Sequence, residues 1–392
     1  MPVRLRKLIL VSLTGLLFTH FLIEVTGHHY LYKTIRFTIL KGRLGPDIEE
    51  YKFLPNRKIE NSAPQPWPSV NGAQPELLDD ELSYHASNSS VAFLVIHRDT
   101  VIHESYWEDF GPDSISNSFS MAKSVVGLLT GIAIDQARIK GVDQPVYEHN
   151  PLYRDGLAEQ LKIEHLLTMS SGINFDENYL NPFAFPARAN YGDNLELLLT
   201  RYHVVDTPGV YYEYQSGNTQ LLGQILTAAM RMSLSDMASE YVWKKIGAEN
   251  PALWTLDRED GMEKAFCCIN ATARDFARIG RLYLHYGEWD GTRIVDSVYV
   301  ARSLMPAKLK TRNGGVNKIY GYQWWLGKHG GYDFFFMRGI KGQYVMVVPD
   351  LDLIVVRLGR KRDVGSGNKP HPDDVYRYLD MGLRMIGKGI RI

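Results

Sequence analysis

The first pattern of hydrophobic and polar positions along the chain is a continuous apolar run near its start. Residues 8–23 are apolar except for Ser, Thr, Gly and His, and Arg4, Arg6 and Lys7 precede them. Basic residues ahead of such a run are typical of a signal peptide or a single membrane anchor, and they do not suit a buried core helix. The run is slightly shorter than the ~17–25 residues that span a bilayer. Residues 1–27 are therefore predicted to be either a signal peptide or a membrane anchor. We expect the protein to be exported, and to be either membrane-anchored or periplasmic or extracellular.

Residues 28–78 show little hydrophobic periodicity. Five prolines lie between residues 45 and 72, and such a composition disfavours regular elements. We expect this segment to be a linker or an N-terminal arm that lies over the domain formed by residues 79–392.

Strand-like and helical patterns then follow in blocks. Residues 91–96 and 101–106 predict a hairpin around Arg98-Asp99, and strands are predicted again at 322–326, 334–337, 344–348 and 353–358. Residues 120–139 predict a helix that is apolar on all sides and hence buried. Further helices are predicted within 140–265, at 271–286 and at 373–386. The expected fold class is α/β (α+β): an antiparallel sheet built from both ends of the domain, with flanking helices and an inserted helical lobe at about 140–265.

Composition excludes several classes of protein. The chain has 392 residues, of which 45% are hydrophobic and 22% charged, as in ordinary globular proteins and unlike disordered ones. The 44 basic and 44 acidic residues cancel, and this neutrality gives no electrostatic basis for nucleic-acid binding. The charges are unevenly distributed along the chain, because residues 1–45 carry a net charge of +6 and the remainder −6. The basic leader suits an anionic membrane surface.

Metal and cofactor motifs are missing from the sequence. There is no H-E-x-x-H, no pair of Cys-x-x-Cys elements, no phosphate-binding glycine loop and no G-x-S-x-G. We therefore expect no metal and no cofactor. The only cysteines, Cys267 and Cys268, are adjacent and cannot staple a scaffold, and we expect both to be small buried residues.

One candidate for chemistry remains, the S-x-x-K segment Ser120 to Lys123. Ser120 stands at the start of the predicted helix, where free backbone N–H groups favour a developing oxyanion. Lys123 returns to the same face one turn later. Because the helix is otherwise apolar, the pKa of Lys123 should fall unless a partner holds its charge, and a nearly neutral lysine can act as a general base. The alternative is a lysine that reaches solvent at the helix start.

A second S-x-x-K, from Ser366 to Lys369, lacks this context. It lies in a glycine-rich stretch ending at Pro370, and no predicted helix orients it. We assign it no chemistry.

Several segments, in order, resemble the serine β-lactamase and penicillin-binding superfamily, specifically its class C-like branch with esterases and 6-aminohexanoate-dimer hydrolases. The resemblance covers about residues 80–385. It rests on residues 119–123 (FSMAK), 163–172 (IEHLLTMSSG), 208–209 (PG) ahead of 214–218 (YQSGN), 270–275 (NATARD) and 339–343 (GIKGQ).

The resemblance implies roles for these residues. Ser120 would be the acylated nucleophile, Lys123 its general base, and Tyr214 of the second motif a proton shuttle. Ser216 and Asn218 would face the substrate. A strict Y-x-N also begins at Tyr179, in a polar loop, where a substrate-contacting residue is one interpretation and a surface residue the other.

The third family motif, K-T-G, is only partly present. Its best match is Met337-Arg338-Gly339, so the lysine of the family motif is missing. Gly339 would allow close approach of a substrate to the backbone, and the N–H groups of Ile340 and Ser120 would form the oxyanion hole. Arg338 or Lys341 could replace the missing lysine, and strand alternation does not decide between them.

The sequence therefore predicts a serine hydrolase that cleaves an ester or amide bond of a small-molecule substrate. A β-lactamase or D,D-peptidase acting on cell-wall-like substrates is an alternative, disfavoured by the absent lysine. A non-catalytic penicillin-recognising sensor is another, disfavoured by the intact Ser120, Lys123 and Tyr214. The sequence leaves the natural substrate and the oligomeric state open.

Overall fold

The computed structural model describes residues 3–70, 72–365, 367 and 369–388, so Ser366 and Asn368 of the second S-x-x-K lie outside the described residues. The α-helices are α1 (Val3–Thr26), α2 (Tyr30–Phe37), α3 (Asp79–Ser87), α4 (Ala122–Asp135), α5 (Ile163–Leu167), α6 (Phe185–Tyr191), α7 (Leu195–Leu199), α8 (Ser216–Met230), α9 (Leu234–Ala238), α10 (Ala273–Leu284), α11 (Ser297–Ser303) and α12 (Asp373–Met385). The strands are β1 (Asn56–Ile59), β2 (Ser90–His97), β3 (Thr100–Tyr106), β4 (Ser116–Asn117), β5 (Ala252–Thr255), β6 (Ile269–Ala271), β7 (Glu288–Trp289), β8 (Thr292–Arg293), β9 (Trp325–His329), β10 (Tyr332–Gly339), β11 (Gln343–Val348) and β12 (Leu353–Gly359).

The largest sheet combines strands from the two ends of the domain. Its six antiparallel strands lie in the order β3-β2-β12-β11-β10-β9. The predicted hairpin turn is confirmed, since Arg98 and Asp99 both adopt positive φ angles of 51° and 57°, as the tight turns between twisted strands require. The expected fold class is therefore confirmed, although β9 begins three residues later than predicted because residues 321–323 form a bend in which Gln323 has a positive φ of 61°.

Both faces of this sheet are covered. Along β2, Phe93 and Val95 pack on one face with helix α12, while Leu94 and Ile96 pack on the other with α4 and α10. This alternation follows from the two-residue period of a strand. Burial on both faces explains why the strand sequence is almost continuously apolar.

A second, four-stranded sheet was not predicted. Its order is β1-β5-β6-β4, and its strands have only two to four residues, too short to show a period. Strand β1 belongs to the N-terminal arm and pairs with β5. The arm is thus tied into the domain by backbone hydrogen bonds over this stretch.

The N-terminal helix α1 projects from the rest of the chain. From Arg4 to Thr26 it is long and apolar enough to cross a membrane, and only 6% of its most apolar window is buried. Helix α2 follows after three residues and packs on α6, where Tyr30, Phe37 and Tyr191 form a small cluster of their own.

Candidate active site

Ser120 lies in a tight turn immediately ahead of α4. A 3₁₀ turn spans Phe119–Met121, and Phe119 adopts a positive φ of 43°. The Asn117 side chain accepts a 2.8 Å hydrogen bond from the Phe119 N–H and fixes this backbone. The helix itself starts at Ala122 and ends at Asp135, four residues before the predicted end. Ser120 therefore precedes the helix and faces a cavity.

Lys123 is brought against Ser120 by the first turn of α4. Its Nζ lies 3.0 Å from Ser120 Oγ, 3.1 Å from Ser216 Oγ and 2.7 Å from the carbonyl oxygen of Phe266. The side chain is 1% exposed, as expected from a helix buried on all sides. Burial lowers the pKa of Lys123 to about 8, and the Glu177 carboxylate opposes that shift. A substantial fraction of this amine is neutral near physiological pH.

Tyr214 closes the site above Lys123. Its ring centroid lies 5.2 Å from Lys123 Nζ and 5.1 Å from the Trp325 ring. Burial raises the pKa of Tyr214 above its usual range, whereas a hydrogen bond with Ser120 acts in the opposite direction. The phenol consequently keeps its proton at neutral pH and can donate it.

Glu177 joins the site although it belongs to none of the motifs described above. Its carboxylate accepts 2.6 Å hydrogen bonds from the Ser216 N–H, the Ser216 hydroxyl and the Tyr179 hydroxyl. Acidic residues are common in polar loops, and the distance along the chain from 177 to 216 follows no rule. The one available signal was its position two residues before Tyr179.

These residues border a cavity of about 260 Å³. Ser120, Tyr179, Ser216 and Ile340 all line it. The lining also includes the side chains of Phe266 and Cys267 and part of the N-terminal arm. Four of the predicted site residues thus share one cavity.

Three other predicted site residues lie elsewhere. Asn218 is fully buried, and its amide points to Met169 and Gln215. A Cβ on Gly339 would lie 2.3 Å from the Ser118 carbonyl oxygen, so this glycine allows β10 to approach the turn before Ser120. Lys341 adopts a positive φ of 63°.

The two candidates for the absent family lysine have different surroundings. The guanidinium of Arg338 stacks 4.1 Å from the centroid of the Trp325 ring, on the side of Tyr214. Burial lowers the pKa of Lys341, with opposing effects of Asp47 and Arg43 from the N-terminal arm. Arg338 also acts through space on Tyr214 and lowers the pKa of its hydroxyl, against the larger effect of burial. Among the described residues, no group of three or more His, Cys, Asp or Glu side chains could hold a metal ion.

Cys267 and Cys268 are joined to each other by a disulfide. Both are buried, as expected, with exposures of 5% and 3%, but the bond between them was not predicted. Their segment is anchored by Trp254, whose indole N–H donates to the Cys267 carbonyl at 3.1 Å. The preceding carbonyl, of Phe266, is the one that accepts from Lys123. The disulfide between Cys267 and Cys268 therefore directly follows the residue whose carbonyl accepts a hydrogen bond from Lys123.

Comparison with known proteins gives consistent matches. The Beta-lactamase family model matches residues 78–375. The 6-aminohexanoate-dimer hydrolase of Paenarthrobacter ureafaciens is 28% identical over 287 residues, covering 68% of this chain and 71% of that protein.

Solved structures share the fold. A candidate 6-aminohexanoate-dimer hydrolase from Bacillus anthracis superposes with a TM-score of 0.73 at 20% identity, covering 87% of this chain and 93% of that one. A family VIII carboxylesterase gives a TM-score of 0.60 at 15% identity, covering 78% and 96%.

Proposed function

The chain belongs to the beta-lactamase family and is a serine hydrolase, and from that premise we propose that Ser120 forms an acyl-enzyme and cleaves an ester or amide bond of a small substrate. The observation that carries this proposal is the set of three contacts around Lys123 Nζ, to Ser120, Ser216 and Phe266. The dimer hydrolase relative supports an amide, and the carboxylesterase with the same fold is compatible with an ester.

The contacts of Lys123 suit a general base. The Phe266 carbonyl can only accept a hydrogen bond, and the Ser216 hydroxyl has its proton committed to Glu177. Both groups therefore take an N–H from the neutral amine. The remaining lone pair is directed at the Ser120 hydroxyl, 3.0 Å away. With a pKa of about 8, about a tenth of Lys123 is in this neutral form at pH 7.

The reaction then follows in two halves. Ser120 Oγ attacks the carbonyl carbon while its proton passes to Lys123 Nζ, and the oxyanion accepts from the N–H groups of Ser120 and Ile340. Tyr214 gives its proton to the leaving alcohol or amine and regains one from Lys123. Water attacks the resulting ester by the same route and releases the acid. Neither half requires a metal or cofactor.

The test compares the parent protein with Ser120→Ala on p-nitrophenyl acetate, nitrocefin and 6-aminohexanoate dimer. We expect Ser120→Ala to lose hydrolysis of every substrate that the parent cleaves. Ser124→Ala is the matched control, because its hydroxyl donates to the Gln323 carbonyl at 2.7 Å and does not contact Lys123. A Ser120→Ala variant as active as the parent would show the nucleophile assignment to be wrong, as would an acyl adduct located by mass spectrometry on another residue.

We also propose that α1 attaches the exported enzyme to a membrane. Its apolar length and exposure support this, as does the net charge of +6 in residues 1–45. Membrane fractionation of cells expressing the full chain tests it, because an anchored enzyme resists extraction by alkaline carbonate and keeps the mass of the uncleaved chain.

A further inference from the structure

The cavity wall facing Ser120 is built from the stretch of chain that follows α1 and α2. Thr38, Ile39, Arg43 and Leu44 line it, together with Ser120. Helix α2 has eight residues, a rise of about 12 Å, and three residues separate it from α1. The lining begins at Thr34, within the short helix that follows the proposed membrane anchor.

This wall is held in place by several contacts. The Phe37 ring stacks on Tyr191 with centroids 6.1 Å apart and an angle of 8°. The Tyr30 hydroxyl donates to the Pro182 carbonyl at 3.0 Å, and Arg360 binds Asp47 at 2.9 Å. Because Tyr191 and Pro182 also line the cavity, the arm and the domain enclose it jointly.

The cavity mouth is apolar and open. Ile39, Leu44 and Leu180 line the cavity and are nevertheless 66%, 94% and 86% exposed. Among the described lining residues the charged one is Arg43, and it is paired with Asp47 at 3.2 Å. Apolar side chains gathered at the entrance of a pocket mark a binding surface.

From this arrangement we infer that the substrate is an amphiphilic ester or amide whose acyl part is an apolar chain, which lies between the arm and Ser120 and enters from the membrane that holds α1. The inference rests on the proposed function of Ser120 and specifies its substrate class. Lys33, Arg36 and Lys41 lie on the same segment and suit the anionic surface of a bilayer.

The first test is a series of p-nitrophenyl esters from acetate to octanoate, measured on the full chain in phosphatidylcholine vesicles. We expect kcat/KM to rise about two- to fourfold for each added methylene that the cavity buries. Ile39→Asn and Leu44→Asn should lose at least about fivefold of the preference for octanoate over acetate. Leu40→Asn is the matched control, because Leu40 is 73% exposed and does not line the cavity.

The outcomes separate this inference from the proposed function. If the parent and both cavity variants share one chain-length profile, or if the rate falls with chain length, the acyl-chain assignment is overturned while loss of activity in Ser120→Ala still supports the nucleophile. If Ser120→Ala hydrolyses acetate like the parent, the proposed function itself fails.

A second test addresses the route of entry. A p-nitrophenyl palmitate probe is placed either in the vesicles that hold the enzyme or in separate vesicles. Entry from the membrane predicts at least a tenfold faster reaction when probe and enzyme share a bilayer. Equal rates would overturn the membrane route and make a freely dissolved amphiphile the source.

Discussion

Two buried lysines lie near the cavity, and they differ in the groups that contact their side-chain amines. Lys123 and Lys264 are each 1% exposed, and burial lowers their pKa values to about 8 and about 7. Lys123 Nζ touches two serine hydroxyls and a carbonyl, whereas Lys264 Nζ donates to the Asn190 carbonyl at 2.7 Å. A depressed lysine pKa is thus not sufficient to make a general base.

Lys123 differs from Lys264 in that its Nζ lies 3.0 Å from the Ser120 hydroxyl, and its contacts with Ser216 and Phe266 direct its lone pair at that hydroxyl. Lys264 has the lower pKa and would be the stronger candidate on that criterion alone. Its charged neighbours, Lys33, Glu50 and Asp257, act on it through space. We therefore assign the role of general base to Lys123 and a purely structural role to Lys264.

Replacing each lysine by methionine gives the largest contrast. Lys123→Met should lose at least ~10²-fold in kcat, the usual effect of removing a general base, while Lys264→Met should stay within about threefold of the parent. Initial rates on p-nitrophenyl esters measure both, with circular dichroism as the check on folding. Equal losses of kcat in the two variants would contradict the assignment of the general base to Lys123 alone.

The pH dependence of the rate tests Lys123 as the general base. Because Lys123 must be neutral to accept the Ser120 proton and its pKa is about 8, kcat/KM should fall about tenfold for each pH unit below 8 and level off above it. A profile measured between pH 6 and 10 reports the free-enzyme value. A rate that does not change between pH 6 and 8 would contradict the assignment of Lys123 as the base.

The Glu177 carboxylate acts on the pKa of Lys123, whereas the charged residues that act on Lys264 are Lys33, Glu50 and Asp257. Glu177→Gln should lower the plateau rate about tenfold, because the Ser216 hydroxyl loses a charged acceptor. It should also move the acid limb of the pH profile to lower pH, since the carboxylate raises the pKa of Lys123. The exposed Glu159→Gln is the control. A lower rate with an unmoved limb would reduce Glu177 to a packing role.

The sequence predicts one side of this site much better than the other. Ser120 and Lys123 are linked by helical geometry, so three residues of spacing imply contact, and the alternating strands predict the large sheet. Glu177 and the arm residue Ile39 reach the cavity through loops and tertiary packing, which no local period encodes. The short strands of the second sheet escaped prediction for the same reason.

Thermal stability tests whether the Lys264 amine is buried without a compensating charge. Because the folded-state pKa is about 7 and an unfolded lysine titrates near 10.4, the unfolded chain binds more protons between these values, and this lysine's contribution to stability rises with pH across that window. Below pH 7 the charged amine is buried at full cost. Lys264→Met removes that cost, so its gain in Tm over the parent should be about 5 °C larger at pH 6 than at pH 10. Thermal unfolding of both proteins at the two pH values measures this difference, since their other titrating groups are shared. A gain independent of pH would mean that the Lys264 amine contacts solvent or a compensating charge. Lys264 would then resemble Lys123 only in the burial of its side chain.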